Sequence, residues 1–151
     1  MPSSGPTPNS ETAEPAPEQT LTSYYVVPDV EAFLVFLEQA FGAVVTERME
    51  GKEGQVMHAE VRIGNSGLMM GRGGADQAKQ ACIQYVYVDD VDAAYQKLLA
   101  AGATAVQEPE DQFYGHRTAA GRDPFENQWW LAQRKEDLSP EELQKRASEY
   151  R

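Results

Sequence analysis

The chain has 151 residues, of which 41% are hydrophobic, and a formal net charge of −11 at neutral pH. That length is enough for one well-buried domain, and no apolar run approaches the roughly 18 to 20 residues that cross a bilayer. The acidic balance argues against nucleic-acid backbones and anionic membrane surfaces, both of which need a basic face; its plain reading is solubility. Cys82 is the only cysteine, so no internal disulfide is possible. That usage, with no basic cluster leading into an apolar stretch at the N-terminus, fits a cytoplasmic protein.

Residues 1–20 are rich in Pro, Ser, Thr, Glu and Ala, with almost no large apolar side chain. Such a stretch cannot offset the entropy of ordering, and we read it as a disordered tail. The folded part begins near Leu21. Tyr24 to Val27 reads as a strand, and Asp29 as a helix cap. A helix follows, with apolar positions at Val30, Phe33, Leu34 and Leu37, and ends at Gly42. Strands are predicted over 43–47, 55–63 and 68–71, with glycine-bounded turns at 51–54 and 64–67. Residues 72–81 form a polar, Gly-rich linker. Its Gly71-Arg72-Gly73-Gly74 run lacks the Lys-Ser/Thr and the context of a phosphate loop, which leaves a linker or a mobile lid.

The same grammar then repeats. Ile83 to Val88 is a strand, Asp90 a cap, and Val91, Ala94, Tyr95, Leu98 and Leu99 the apolar face of a helix ending at Gly102. Strands follow at 104–108, 118–122 and 129–133. Val27-Pro28-Asp29-Val30-Glu31-Ala32 and Val88-Asp89-Asp90-Val91-Asp92-Ala93 start 61 positions apart, whereas Gly42-Ala43 and Gly102-Ala103 are 60 apart. One copy has therefore lost a residue within its helix. Self-similarity at a fixed offset marks a duplicated unit, so the fold class is α+β, with two tandem βαβββ modules over 21–71 and 82–134. Ser139-Pro140-Glu141-Glu142 opens a C-terminal helix over 139–151, with Ser as cap and Pro at the first helical position. Leu143 and Tyr150 are its only large apolar residues, so it should pack lightly.

Several residues could carry chemistry. His58, Glu60 and Arg62 alternate and so share one strand face. His58 could serve as acid or base with Glu60 as its orienting partner; the same spacing also suits a solvated face with cross-strand pairing. A metal site built on His58 and Glu60 needs a third ligand, and none stands at suitable spacing. Tyr114, His116 and Arg117 lie in a Gly-containing loop. Arg117 could bind an anionic or polar ligand, or clamp the loop by hydrogen-bonding carbonyls or pairing with Asp123. Cys82 has no nearby histidine in sequence and reads as buried filler.

The chain resembles the vicinal oxygen chelate superfamily of glyoxalases, bleomycin-resistance proteins and extradiol dioxygenases, in its PhnB-like branch. The resemblance is carried by Phe41-Gly42-Ala43, by His58-Ala59-Glu60 within its strand, and by Val86-Tyr87-Val88-Asp89-Asp90-Val91-Asp92-Ala93. It continues in Gln112-Phe113-Tyr114-Gly115-His116-Arg117 and in Asp123-Pro124-Phe125 with Trp129 or Trp130. His116 stands where that branch usually has Asp, and Glu126-Asn127 where it has Gly-His. The resemblance implies modules whose mostly antiparallel strands curl around a shared cavity, a homodimer, and metal ligands on equivalent strands. Those positions fall near Thr22, Ile83, Met70 and Trp130, and a shift of one offers only Gln84, so the usual metal centre is expected to be missing. Tyr24, Tyr85, Tyr87 and Trp130 would face the cavity, lining a pocket for a flat or amphipathic molecule or filling it. The function expected is binding of a small, partly aromatic molecule in the inter-module cavity, with Tyr24, Arg62, Tyr85, Tyr87, Tyr114, Arg117 and Trp130 as ligand contacts and His58 and Glu60 as catalytic candidates. No cofactor is then needed. The alternative is a lyase, isomerase or dioxygenase using a divalent metal.

Overall fold

A computed structural model of the chain describes residues 14–17, 19–73 and 81–150. It divides into two compact units, Met1–Ala81 and Cys82–Arg151, each described by itself below.

The first unit contains β1 (Ser23–Val27), α1 (Val30–Phe41), β2 (Val44–Glu50), β3 (Val56–Ile63) and β4 (Ser66–Arg72). The second contains β5 (Ile83–Tyr87), α2 (Val91–Ala100), β6 (Thr104–Asp111), β7 (His116–Arg122), β8 (Gln128–Arg134) and α3 (Pro140–Glu149). The expected βαβββ order is therefore present twice. Each unit forms a four-stranded mixed sheet, ordered β1-β4-β3-β2 and β5-β8-β7-β6. In each, the first strand lies parallel to the last and the other pairs are antiparallel. Five of the six strands that follow the helices run further than the sequence pattern indicated, because paired backbone carries them into turns and charged ends where periodicity is lost; β3 alone starts one residue later than expected. The linker and lid reading falls mostly on residues 74–80, outside the described residues; Arg72 belongs to β4.

Both helices start as the sequence dictates. Asp29 and Asp90 each accept a hydrogen bond from the backbone N–H three residues on, at 3.0 and 3.1 Å. Gly42 takes the left-handed conformation (φ 66°) that closes α1, and Gly102 follows α2 with φ 116°. One apolar stripe of each helix covers one sheet face. Val30, Phe33, Leu34, Phe36, Leu37 and Ala40 are buried on α1, and Val91, Tyr95 and Leu98 on α2. They meet Tyr25, Ala59, Val61 and Met70 in the first unit, and Ala119, Trp129 and Leu131 in the second. A Cβ on Gly121 would lie 2.9 Å from Leu98 Cδ2, so glycine there lets α2 approach β7 closely.

The strand alternation consequently assigns a second face to each sheet, turned away from the helix. On it lie Tyr24, His58, Glu60 and Met69 in the first unit, and Tyr85, Tyr87, His116, Thr118, Trp130 and Arg134 in the second. α3 buries no residue fully. Ser139 caps it by accepting from Glu142 N–H at 3.1 Å. Arg146 donates to Glu136 and Glu142, and Tyr150 stacks on Phe113 with centroids 4.4 Å apart. The light packing expected of this helix is what its composition permits.

Candidate functional site

In the first unit, β3 carries His58, Glu60 and Arg62 on the face away from α1, as alternation requires. Glu47 joins them. A β-bulge between Val45 and Glu47 resets the register, so that Glu47 stands directly opposite Glu60. One ligand atom from each of Glu47, His58 and Glu60 lies within 4.8 Å of the others. Glu47 is thus a third group able to ligate a metal, which sequence spacing did not reveal; an irregularity in pairing brings it there, and a strict period of two cannot show it.

Glu60 does not orient His58 through a close hydrogen bond: its Oε2 lies 3.7 Å from His58 Nε2. The nearer partner is Tyr24, whose hydroxyl stands 3.4 Å from Nδ1. Tyr24 reaches the ring across β4 because Gly71 lies opposite His58 and has no side chain; a Cβ there would collide with the Tyr24 hydroxyl. Arg62 is held by carbonyls, donating to Glu14 O at 3.0 Å and Gly64 O at 3.3 Å. Gln19 Oε1 accepts from Gly67 N–H at 2.7 Å, so residues before β1 are tied to the β3–β4 end of this sheet.

In the second unit, three tyrosines converge on one imidazole. The Tyr85, Tyr87 and Tyr114 rings have centroids 6.0, 5.7 and 5.2 Å from His116. Tyr85 Oη stands 2.8 Å from His116 Nδ1. Burial and the hydrogen bond with Tyr114 push the Tyr85 phenol up from its ordinary range. Burial, and then the Arg134 charge, push His116 down. Both shifts favour neutral groups near pH 7, and the Tyr85 hydroxyl and His116 Nδ1 share a hydrogen bond whose donor is set by the imidazole tautomer. Arg134 lies over the Tyr87 ring, 4.1 Å from its centroid. Trp130 shares this face, with its indole N–H donating to Gln128 Oε1 at 3.0 Å.

Arg117 does not join that group. It follows His116 in β7 and so points to the opposite face, where it forms a bidentate pair with Asp92 at the start of α2 and a third bond to Asp111. Those carboxylates hold the guanidinium above its ordinary range, and the expected partner, Asp123, is engaged elsewhere. Asp123 is 3% exposed. It accepts from Phe125 N, Asn127 N, Asn127 Nδ2 and Trp129 Nε1 at 2.8 to 3.0 Å. Cys82 is partly buried; burial, and then the Asp123 charge, raise its thiol.

The registers also permit a residue-by-residue comparison of the units. Tyr24 pairs with Met69 as Tyr85 pairs with Trp130, so the counterpart of Trp130 is Met69. Met70, expected in that place, is buried beneath α1. The sequence resemblance placed the metal-ligand positions near Thr22, Ile83, Met70 and Trp130, and the register equivalence puts Met69 in place of Met70. A hydroxyl, an alkyl, a thioether and an indole do not make the N/O donor set of a divalent metal.

A family model described as the Glyoxalase/Bleomycin resistance protein/Dioxygenase superfamily matches residues 19–131. The chain belongs to this superfamily. An uncharacterised protein of Mycobacterium bovis is 32% identical over 142 residues, covering 84% of this chain and 91% of its own. A counterpart in Mycobacterium tuberculosis has the same identity, covering 84% and 81%. Among solved structures, TioX from Micromonospora superposes with a TM-score of 0.63 at 24% identity, over 80% of this chain and all of TioX. The fosfomycin resistance protein FosX from Listeria monocytogenes superposes with a TM-score of 0.64 at 16% identity, over 83% and 98%. These superpositions establish the glyoxalase fold, which hosts many activities. Among the described residues, no helix is long and apolar enough to cross a membrane.

Proposed function

We propose that this superfamily member binds a small, partly aromatic molecule on the sheet face built by Tyr85, Tyr87, Tyr114 and His116, with no metal at the family's four ligand positions. The observation that carries the reading is the convergence of three phenol rings on a neutral imidazole, on a face where Tyr85 is 43% and Tyr87 53% exposed. Aromatic rings of this kind supply flat contact area, and their polar ends fix orientation. His116 offers an imidazole nitrogen, and Arg134 a cation. Trp130 extends the apolar surface. Arg117 and Arg62 are not ligand contacts in this reading, since carboxylates and carbonyls hold their donors. The homodimer implied by the family resemblance belongs to the same proposal, and light scattering of the eluting protein tests it.

The binding test is a fluorescence titration with anilinonaphthalene sulfonate, a flat anionic aromatic probe. Each aromatic contact contributes about 0.5 to 1.5 kcal/mol beyond its area, so Tyr85→Ala with Tyr87→Ala should weaken the probe at least about fivefold. An affinity unchanged in that double variant, with its fold intact, would remove this face as the binding surface.

A further inference from the structure

We propose that Glu47, His58 and Glu60 bind one divalent transition cation of the zinc or nickel type, at a place in the first unit different from the family's ligand positions. The three residues provide one imidazole nitrogen and two carboxylates, the borderline donor set these ions take, with coordination positions left open.

Two features of the unit point to a cation. Glu47 and Glu60 are directly opposed across the β2–β3 ladder, an arrangement in which like charges repel. Among the described residues, no Lys or Arg pairs with either of them; Arg48, the neighbour of Glu47, turns to Glu31 and Glu50. A dication would convert that repulsion into attraction. The second feature is the hold on His58. With the Tyr24 hydroxyl at Nδ1, it is Nε2 that faces Glu60. When a metal takes Nε2, the ring proton moves to Nδ1 and is donated to the Tyr24 oxygen, the outer contact that metal-bound histidines characteristically make. Gly71 keeps the path of Tyr24 clear.

The second unit provides an internal comparison. The same register positions, next to an equivalent bulge, hold Gln107, Thr118 and Ala120. There Gln107 Nε2 donates to Thr118 O and Oγ1 at 3.1 and 2.9 Å, and Gln112 Nε2 donates to the same hydroxyl at 3.1 Å, a neutral hydrogen-bonded group. One scaffold position thus carries neutral hydrogen-bonded side chains in one unit and three groups able to ligate a metal in the other. In a tetrahedral site the ligand atoms lie roughly 3.3 Å apart, so an ion would draw these three side chains, none of them fully buried, together from within 4.8 Å.

The inference is independent of the aromatic face of the second unit, and either can fail alone. Its test is calorimetric titration of metal-free protein with Zn²⁺ and Ni²⁺, joined to imidazole NMR; His58 and His116 are the only histidines. The expected result is one ion per chain, with paramagnetic Ni²⁺ broadening the His58 ring signals and sparing those of His116. Glu47→Gln and Glu60→Gln should each weaken binding at least tenfold, whereas His116→Gln should leave it unchanged. No uptake, uptake that survives in the double glutamine variant, or broadening at His116 without His58 would each overturn the proposal. Should a glutamine variant not fold, the NMR result on the natural chain decides.

Discussion

Asp123→Ala should be among the most damaging single changes in this protein. The carboxylate accepts four hydrogen bonds, from Phe125 N, Asn127 N, Asn127 Nδ2 and Trp129 Nε1. Trp129 is 1% and Asn127 3% exposed, so water cannot replace the lost acceptor at those two residues without opening the fold. A stranded buried donor costs about 1 to 3 kcal/mol. With the Phe125 N–H relaxing toward solvent, a loss of about 3 to 5 kcal/mol follows. That is a large share of the roughly 5 to 15 kcal/mol that holds a domain together. Asp123→Asn keeps one acceptor oxygen for the two backbone donors but turns an NH₂ toward Trp129 Nε1 and Asn127 Nδ2, and should lose about 2 kcal/mol. Urea unfolding followed by tryptophan fluorescence measures both. A loss below about 1.5 kcal/mol for Asp123→Ala, with an unchanged denaturant slope, would refute the view that this carboxylate organises the β7–β8 turn.

Three further outcomes can be measured. Glu126 is the one non-glycine residue with positive φ among those described, at 74°; Glu126→Gly relieves a left-handed strain of about 1 to 2 kcal/mol, offset in part by backbone entropy, so a gain of about 0.5 kcal/mol in urea is expected and a loss would contradict it. Gly71→Ala should displace the Tyr24 hydroxyl, the flexible end of a half-exposed side chain; stability should change by less than about 1 kcal/mol, while the His58 ring resonances shift, and unaltered resonances would show that Tyr24 does not orient His58. The folded state lowers the proton affinity of His116, so its contribution is fully present above the unfolded value of about 6.5 and is lost as pH falls through the lower folded value; the melting temperature should drop from pH 7.5 to 5.5, by a smaller amount in His116→Gln, and equal drops would remove His116 as a source.

How legible each feature was depended on how local its cause is. The helix starts at Asp29 and Asp90 and the Ser139 cap depend on hydrogen bonds spanning three residues, and each stands where the sequence placed it. The Asp123-Pro124-Phe125 motif was visible, but its reason was not. Only the folded turn shows that Asp123 gathers Trp129 rather than Trp130, and that it is unavailable to Arg117. His116 and Arg117 read as neighbours in one loop; once β7 is seen to begin at His116, alternation sends them to opposite faces, one to the tyrosines and the other to Asp92.

The sequence by itself determined the duplicated βαβββ order, the apolar stripes that bury each helix, and the polar alternation of His58, Glu60 and Arg62, because these follow from periods of a few residues along one chain. Tertiary structure alone decided that Glu47 stands against Glu60, that Tyr24 crosses Gly71 to reach His58, and that Met69 rather than Met70 is the counterpart of Trp130. Each depends on cross-strand register. One bulge shifts that register by a residue and moves every later side chain to the other face, and no local pattern in the sequence records it.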